Sequence, residues 1–482
     1  MTEPTTWHEQ LQFSGCLPID IEPSQAQLTS DAGLLPLRQF DEALGLTRQF
    51  AEALIDPRDP DDVDHTFLEM TRMRVFGILA GYEDQNDHDT LRSDPVFKVI
   101  ADRSPEGPDL ASQPTLSRFE NAISPRSLLQ SQDVFLDQFL QSFDTPPTHL
   151  VFDLDTFDDA VHGQQQLTFF HGHYDQYQYL ARVITCANND AVVMLALLFG
   201  TAPPTLGVVD DLRSLVTRLR AVWPDVRISI RADSGFAVPE FYLGCETLRL
   251  EYTIGLGMNA VLKRRSETLL EKALKDFTET GEPQRQFDAF EYQAGTWTEP
   301  RWVVVKAEAN SQGTNRRAVV TNRSGARVLP EATYDDYGER GESENRNKEL
   351  KCSLCADRLS DHRFMANYFR LYLHCLAANL LVRQRQLVAD PPAPYPPSPL
   401  PTEALAGKAR KQFFNQRRQA DPLGEGHAQT WRMRLIKVAA EVLVRARRII
   451  VRLSASWPYL EEFRAVCQAN ARLFARSPLE SG

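Results

Sequence analysis

Thr145-Pro146-Pro147-Thr148-His149-Leu150-Val151-Phe152-Asp153-Leu154-Asp155 is where the chain changes texture. Upstream the apolar residues recur at helical spacing. His65 to Tyr82 places Leu68, Val75, Phe76 and Leu79 on one face, and Ser127 to Phe143 repeats the pattern. Downstream, His149 to Asp155, Tyr179 to Cys186, Val192 to Leu198, Val226 to Arg231 and Tyr252 to Gly255 read as strands. An amphipathic helix, Leu206 to Val222, separates the third strand from the fourth. Strands that pass into alternating strand and helix predict an α/β fold with a mixed sheet.

From Arg285 to Asn322 the period returns to two, with Trp302, Val304 and Lys306, then Arg317, Val319 and Thr321. This predicts a β-rich insertion. Tyr334 to Arg383 reads as a long helix or helix pair. Ala389-Asp390-Pro391-Pro392-Ala393-Pro394-Tyr395-Pro396-Pro397-Ser398-Pro399 reads as a stiff, extended linker. Ser112-Gln113-Pro114-Thr115-Leu116-Ser117-Arg118 suits either a Ser-capped helix or the polar start of a small DNA-reading helix.

At 482 residues the chain exceeds one ordinary domain, and two or three are expected. Its longest apolar run, Ala191 to Gly200, is too short to span a bilayer. Met1-Thr2-Glu3-Pro4 lacks the basic start of a signal peptide, so a cytoplasmic, nucleoid-associated location and no membrane partner are expected. Seven scattered cysteines fit a reducing compartment rather than a disulfide framework. Cys352-x-x-Cys355 has no second pair at zinc-finger spacing and reads as buried helical cysteines rather than a metal site. The net charge of −12 is unevenly spread. Residues 1–150 carry 26 acidic and 10 basic side chains, a balance of −16, whereas residues 401–482 carry 7 acidic and 15 basic, a balance of +8. A basic end on an acidic chain is expected where one end grips a polyanion.

Three acids stand apart by position. Asp153 and Asp155 project from one strand face, because side chains alternate, and Asp155 is expected at the strand end. Asp233 follows the strand Val226 to Arg231 and precedes Ser234-Gly235, where an aspartate can also serve as a helix cap. Tyr337, Arg340, Glu344 and Lys351 are spaced by 3, 4 and 7. At 100° per residue they form one stripe about 60° wide, with Glu342 on the far side. The plain alternative is a solvated face with an i,i+4 Arg340–Glu344 pair. Three carboxylates from two strands and a later helix can converge on two Mg²⁺ or Mn²⁺ ions about 4 Å apart. Hard oxygen ligands favour these ions over zinc, and Arg340 and Lys351 would neutralise nearby phosphates.

Tyr-x2-Arg-x3-Glu-x6-Lys resembles the YREK signature of the insertion-sequence-four superfamily of DDE transposases. More closely, the chain resembles the group-one DDE transposases, the insertion-sequence thirteen-eighty family. The likeness runs through Asp31 to Leu35, Gly81 to Asp89, Ser112 to Arg118, Phe152 to Asp155, His162 to Gln165, Arg231 to Phe236 and Arg340 to Arg346. It implies an RNase H-like core with a β insertion before the last catalytic helix, and recognition of terminal inverted repeats. It also implies DNA cleavage and strand transfer through two metal ions. The family's three carboxylates fall on Asp155, Asp233 and Glu344, and its accessory Tyr, Arg and Lys on Tyr337, Arg340 and Lys351. Where family members usually carry Thr, two places after the first acid, this chain has Phe157, which keeps Asp153 open as an alternative to Asp155.

In Trp431 to Ser454, a helical reading puts Arg434, Lys437, Arg445, Arg448 and Arg452 within about 80° of one another, a cationic stripe for DNA phosphates. The expected organisation is then a helical, DNA-binding 1–147 and an RNase H-like catalytic domain over 148–388 with its β insertion near 262–330. A Pro-rich linker over 389–403 and a basic helical region over 404–482 complete it. The expected partner is double-stranded DNA, both terminal repeats and target, held by a homodimer. The competing expectation is an inactive or repurposed copy that only binds DNA.

Overall fold

The computed structural model describes residues 7–15, 17–172, 174–390 and 407–476. Most of the Pro-rich linker therefore lies outside the described residues. A short hairpin, β1 (Glu9–Leu11) and β2 (Ile19–Ile21), is followed by β3 (Leu28–Thr29). The longer helices of the first third are α1 (Leu34–Leu44), α2 (Phe67–Ala80), α3 (Gln113–Asn121) and α4 (Pro125–Leu140). Thr66 caps α2 by accepting from Glu69 N–H, and Pro125 opens α4 at the one turn where a missing N–H costs nothing.

The expected change of texture after Pro147 is real. Strands β4 (His149–Ala160), β5 (Phe169–His171), β6 (Gln176–Cys186) and β7 (Val192–Phe199) come first, then α5 (Val208–Val222), β8 (Arg227–Ala232), α6 (Pro239–Thr247) and β9 (Glu251–Leu256). After α7 (Glu267–Thr280), the strands β10 (Gln284–Tyr292), β11 (Arg301–Asn310) and β12 (Gly313–Thr321) form the expected β insertion. They do not stand apart, because β12 pairs with β9 and all nine strands make one mixed sheet. Its order is β10-β11-β12-β9-β8-β4-β6, with β5 and β7 both pairing β6. β4 runs antiparallel to β6 and parallel to β8, and β8 runs parallel to β9.

Helices cover the sheet on both faces. On one, α5 and α6 bury Leu212, Leu215, Leu219, Phe241 and Tyr242 against Phe152, Leu154, Ile228 and Ile230. On the other lies α10 (Phe364–Val388), buried almost all round, as expected of a helix enclosed on every side. It fills the space between β7 and the N-terminal helices, so Phe50, Phe76 and Phe135 share one core with Val183, Leu195 and Leu376. Between the insertion and α10 lie α8 (Pro330–Gly338) and α9 (Arg340–Lys348), followed by a π-helical turn, Glu349–Ser353.

The C-terminal region departs from its expected form. α11 (Gly407–Ala420) is followed by helical turns over Ala428–Trp431 and Arg432–Ile436, but then comes a hairpin, β13 (Ala440–Arg445) and β14 (Arg448–Leu453). β3 adds to its edge, and α12 (Leu460–Arg476) closes the described chain. The single basic helix over Trp431 to Ser454 is thus corrected. Val442, Val444, Ile449, Ile450 and Val451 are β-branched, and stiff side chains of that kind favour the pleated state.

One buried ion cluster ties this region to the core. Glu349 accepts two bonds from Arg385 of α10, at 2.6 and 3.1 Å, and another from the backbone of Ala428. Burial would raise its carboxyl, but Arg385, then His427 and Arg346, hold it far below the ordinary carboxylate range. A depressed carboxyl stabilises the fold above its unfolded value and loses that contribution as pH falls. Glu349→Gln, which leaves Arg385 buried without a counter-charge, should lower stability by about 3–5 kcal/mol in urea unfolding, and should flatten its loss between pH 5 and 3.

Candidate active site

Hydrogen bonding between β4 and β8 runs in register from His149 opposite Arg227 to Leu154 opposite Ala232. β8 stops there. The next residue on each strand is an acid, Asp155 on β4 and Asp233 after β8, so the two lie side by side at about the 4.8 Å spacing of neighbouring strands. Asp155 is not a strand end, as the sequence led us to expect. β4 continues to Ala160 because β6 still pairs with it, Asp155 facing Val183. Asp233 does cap the short turn Ser234–Phe236, accepting from Gly235 N–H at 2.8 Å. The capping role and a role in the acidic pair coexist in one carboxylate.

α9 packs across this face of β4. From it Arg340 reaches Asp155, Nη1 to Oδ2 at 3.3 Å, and donates through Nη2 to Glu344 Oε1 at 2.5 Å. Asn347, one helical turn beyond Glu344, donates to the same Asp155 oxygen at 3.0 Å. Sequence reading missed Asn347, although it falls within about 20° of Arg340 on the helical wheel. Arg340 is buried, which alone would make its charge harder to hold. Asp155, then Tyr337, Glu344 and Asp233, more than restore it. Asp233 is pushed above the ordinary aspartate range, chiefly by burial and in part by the charge on Asp155. Tyr337 is raised too, by burial first and then by Asp233 and Glu344.

The structure therefore brings Asp155, Asp233, Glu344, Tyr337 and Arg340 into one locus. Lys351 is not with them. The π-helical turn after α9 breaks the 100° periodicity, and Lys351 donates instead to Asp158 at 2.7 Å, three residues further along β4. Burial would raise Asp158, but Lys351 and Gln176 outweigh it and hold the carboxyl low. Asp153 shares the face of Asp155 yet is fully buried and held by Arg231 through two bonds, at 2.7 and 2.8 Å. That geometry consumes both of its oxygens. Phe157, in the place of the family threonine, packs into the core on the α10 side.

The basic tail residues disperse. Arg434 pairs with Glu462 at 3.2 Å, and Lys437 pairs with Asp31 at 2.7 Å while lying 3.7 Å from the centre of the Tyr82 ring. Arg452 pairs with Glu441 across the hairpin. Only Arg445 and Arg448 of the five sit exposed together, opposite each other at the hairpin tip. Ser112 stands at the N-cap position of α3, its hydroxyl turned to that of Thr115 at 3.2 Å rather than to a backbone N–H, with Arg118 exposed one turn on. Cys352 is exposed rather than buried, and Cys355 adopts a left-handed backbone.

Among the described residues, no three acidic, His or Cys side chains stand close enough together to hold a metal ion as they are. The donor chemistry nevertheless suits a hard divalent cation. Asp155 and Asp233 offer carboxylate oxygens from adjacent strands, and Glu344, with 56% of its side chain exposed, pairs with Arg340. No helix among the described residues is long and apolar enough to cross a membrane.

The sequence profile of the transposase DDE domain group 1 family matches residues 16–393. The chain belongs to that family, whose members are transposases that generally act with divalent metal ions. A cryo-EM structure of the piggyBac transposase synaptic complex with hairpin DNA is similar at a TM-score of 0.37 and 13% sequence identity, over 86% of this chain and 84% of that one. No curated protein matches the chain.

Gly255 on β9 makes room for this arrangement. A Cβ there would stand 2.7 Å from the Tyr337 hydroxyl and 3.1 Å from Ser234 N. Gly255→Ala should destabilise the fold by about 1–3 kcal/mol, the range for overpacking. Combining it with Tyr337→Phe should recover at least about 0.5 kcal/mol in a double-mutant cycle, read from denaturant midpoints.

Proposed function

We propose that this chain is a DNA transposase of an insertion sequence, which binds terminal inverted repeats and catalyses strand cleavage and strand transfer. One observation carries the reading. Asp155 and Asp233 stand side by side just past the parallel pairing of β4 and β8, and Glu344 from a later helix is linked to Asp155 through the Arg340 guanidinium. The strand order β7-β6-β4-β8-β9, three antiparallel members and then two parallel ones, supports an RNase H-like core for residues 148–388, with the β insertion extending its edge.

Asp155, Asp233 and Glu344 are the catalytic carboxylates in this reading, and would hold two Mg²⁺ or Mn²⁺ ions. Bound there, the ions supply Lewis-acid stabilisation of the attacking and leaving oxygens of phosphoryl transfer. The chain's own groups do the positioning. Arg340, already charged and buried, exchanges its carboxylate partners for a phosphate oxygen. Asn347 holds Asp155 in one orientation, and Asp153–Arg231 stiffens the strand pair beneath. Tyr337 offers a hydroxyl beside Asp233. In this reading Lys351, paired with Asp158 of β4, and Arg445 and Arg448 at the hairpin tip would meet phosphates away from the scissile one. Synapsis of two ends calls for two copies of this site, hence a homodimer.

A second reading, a copy that only binds DNA, is favoured by the grip of Arg340 on both Asp155 and Glu344. Incubation with a duplex carrying the inverted repeats that flank its gene separates the two. An active transposase nicks at the repeat ends in Mg²⁺ or Mn²⁺. Asp155→Asn, Asp233→Asn and Glu344→Gln should each lower that rate at least about 10³-fold while leaving the DNA-binding constant within a factor of about three. Binding without cleavage in either metal would establish the second reading.

A further inference from the structure

The insertion strands contribute more than scaffold. β11 and β12 place Lys306 directly opposite Arg317, on the same face as the buried pair Val304 and Val319. α8 lies on that face, and its Tyr334 and Tyr337 close one side of a cleft of about 220 Å³. The far wall of the cleft is Arg340 and Glu344, so it opens directly beside the carboxylate site. Arg285 completes the lining, paired with Asp335 and stacked 4.8 Å from the Phe287 ring.

The charge in this cleft is unbalanced. Four cations, Arg285, Lys306, Arg317 and Arg340, face two carboxylates, Asp335 and Glu344. Lys306 is only 13% exposed, lies 5.0 Å from the centre of the Tyr334 ring, and pairs with Glu308 at 2.8 Å. Arg317 is exposed and has no ion pair among the described residues. Burial lowers the Lys306 pKa, Glu308 opposes it, and the nearby charges of Arg285 and Arg317 add to the lowering. Guanidinium and ammonium groups beside tyrosine hydroxyls are the donor set for phosphate oxygens.

We propose that Lys306 and Arg317 bind a phosphodiester of the DNA strand next to the scissile phosphate, making the β insertion part of the DNA-holding surface. This rests on the functional reading above. Arg340 lines the cleft and touches Asp155, so a strand lying over Asp155 and Asp233 leads straight into it. Tyr334 forms a flat floor that holds the Lys306 ammonium in place. Glu344, on the wall beside Arg340, repels phosphate and keeps the backbone to the Lys306–Arg317 side.

The test uses the full chain, a fluorescein-labelled 30-base-pair duplex of arbitrary sequence, and EDTA throughout, so that binding is read apart from cleavage. Fluorescence anisotropy at several NaCl concentrations gives the slope of log K against log[salt], which falls by about 0.9 per phosphate contact removed. Lys306→Ala with Arg317→Ala should reduce the slope by about 0.9, the loss of one phosphate contact, and Arg317→Ala alone, at an exposed position, should reduce it by a part of that. Arg317→Lys should restore it, and Lys275→Ala, on the exposed face of α7, should not change it. If the wild type binds the duplex and the slope is the same in all variants, the proposal is overturned while the functional reading stands. If the difference vanishes in inorganic phosphate at constant ionic strength, the cleft is a free-phosphate site and the proposal is likewise overturned. A wild type that binds no duplex overturns both.

Discussion

Charge neutralisation by Arg340 is the constraint on which the site depends. Two carboxylates set at the roughly 5 Å spacing of neighbouring strands would repel by roughly 3 kcal/mol at an effective dielectric near 20, and a third acid nearby adds to this. The guanidinium that touches Asp155 and Glu344, and lies within electrostatic reach of Asp233, offsets that repulsion from inside the protein. Arg340 is buried, so its attraction to the acids is little screened by salt. The same placement makes it a switchable partner, since a phosphate oxygen offers the charge and geometry that its carboxylates now provide.

Getting Arg340 there is the work of the whole fold. β8 must end at Ala232 for Asp233 to lie beside Asp155, and β4 must run on, which it does because β6 keeps pairing with it. α9 must lie across that junction. It is held at its end by Glu349, whose bonds to Arg385 and Ala428 anchor it to the long core helix and to the C-terminal region together. Gly255 lets β9 come close to both the Tyr337 hydroxyl and the Asp233–Ser234 backbone. N-terminal helices, sheet and tail share one core, so a disturbance far along the chain can reach this site through α10.

Much of this was legible in the sequence. The strands around Asp155 and Asp233 announce themselves by alternation and β-branched content, and the Arg340–Glu344 relation follows from helical spacing alone. What failed did so for identifiable reasons. Lys351 was assigned to the stripe on an ideal 3.6-residue period, and a π-helical turn diverted it to Asp158. The basic residues between Arg434 and Arg452 happen to suit a helix, while the β-branched residues among them dictate a hairpin. Exposure of Cys352 follows from the same local break in the helix. Gly255 and the Lys306–Arg317 pair carry no local mark, because their importance lies in what other segments bring against them. Shared packing between the N-terminal helices and the sheet is likewise invisible to any reading that runs along the chain.

The most direct measurement is the anomalous diffraction of Mn²⁺ in crystals of the protein bound to DNA bearing its terminal repeats. The account predicts manganese peaks at Asp155, Asp233 and Glu344, and Arg340 moved from Asp155 onto a phosphate oxygen. Manganese bound elsewhere, or Arg340 still paired to Asp155 with the DNA in place, would contradict it.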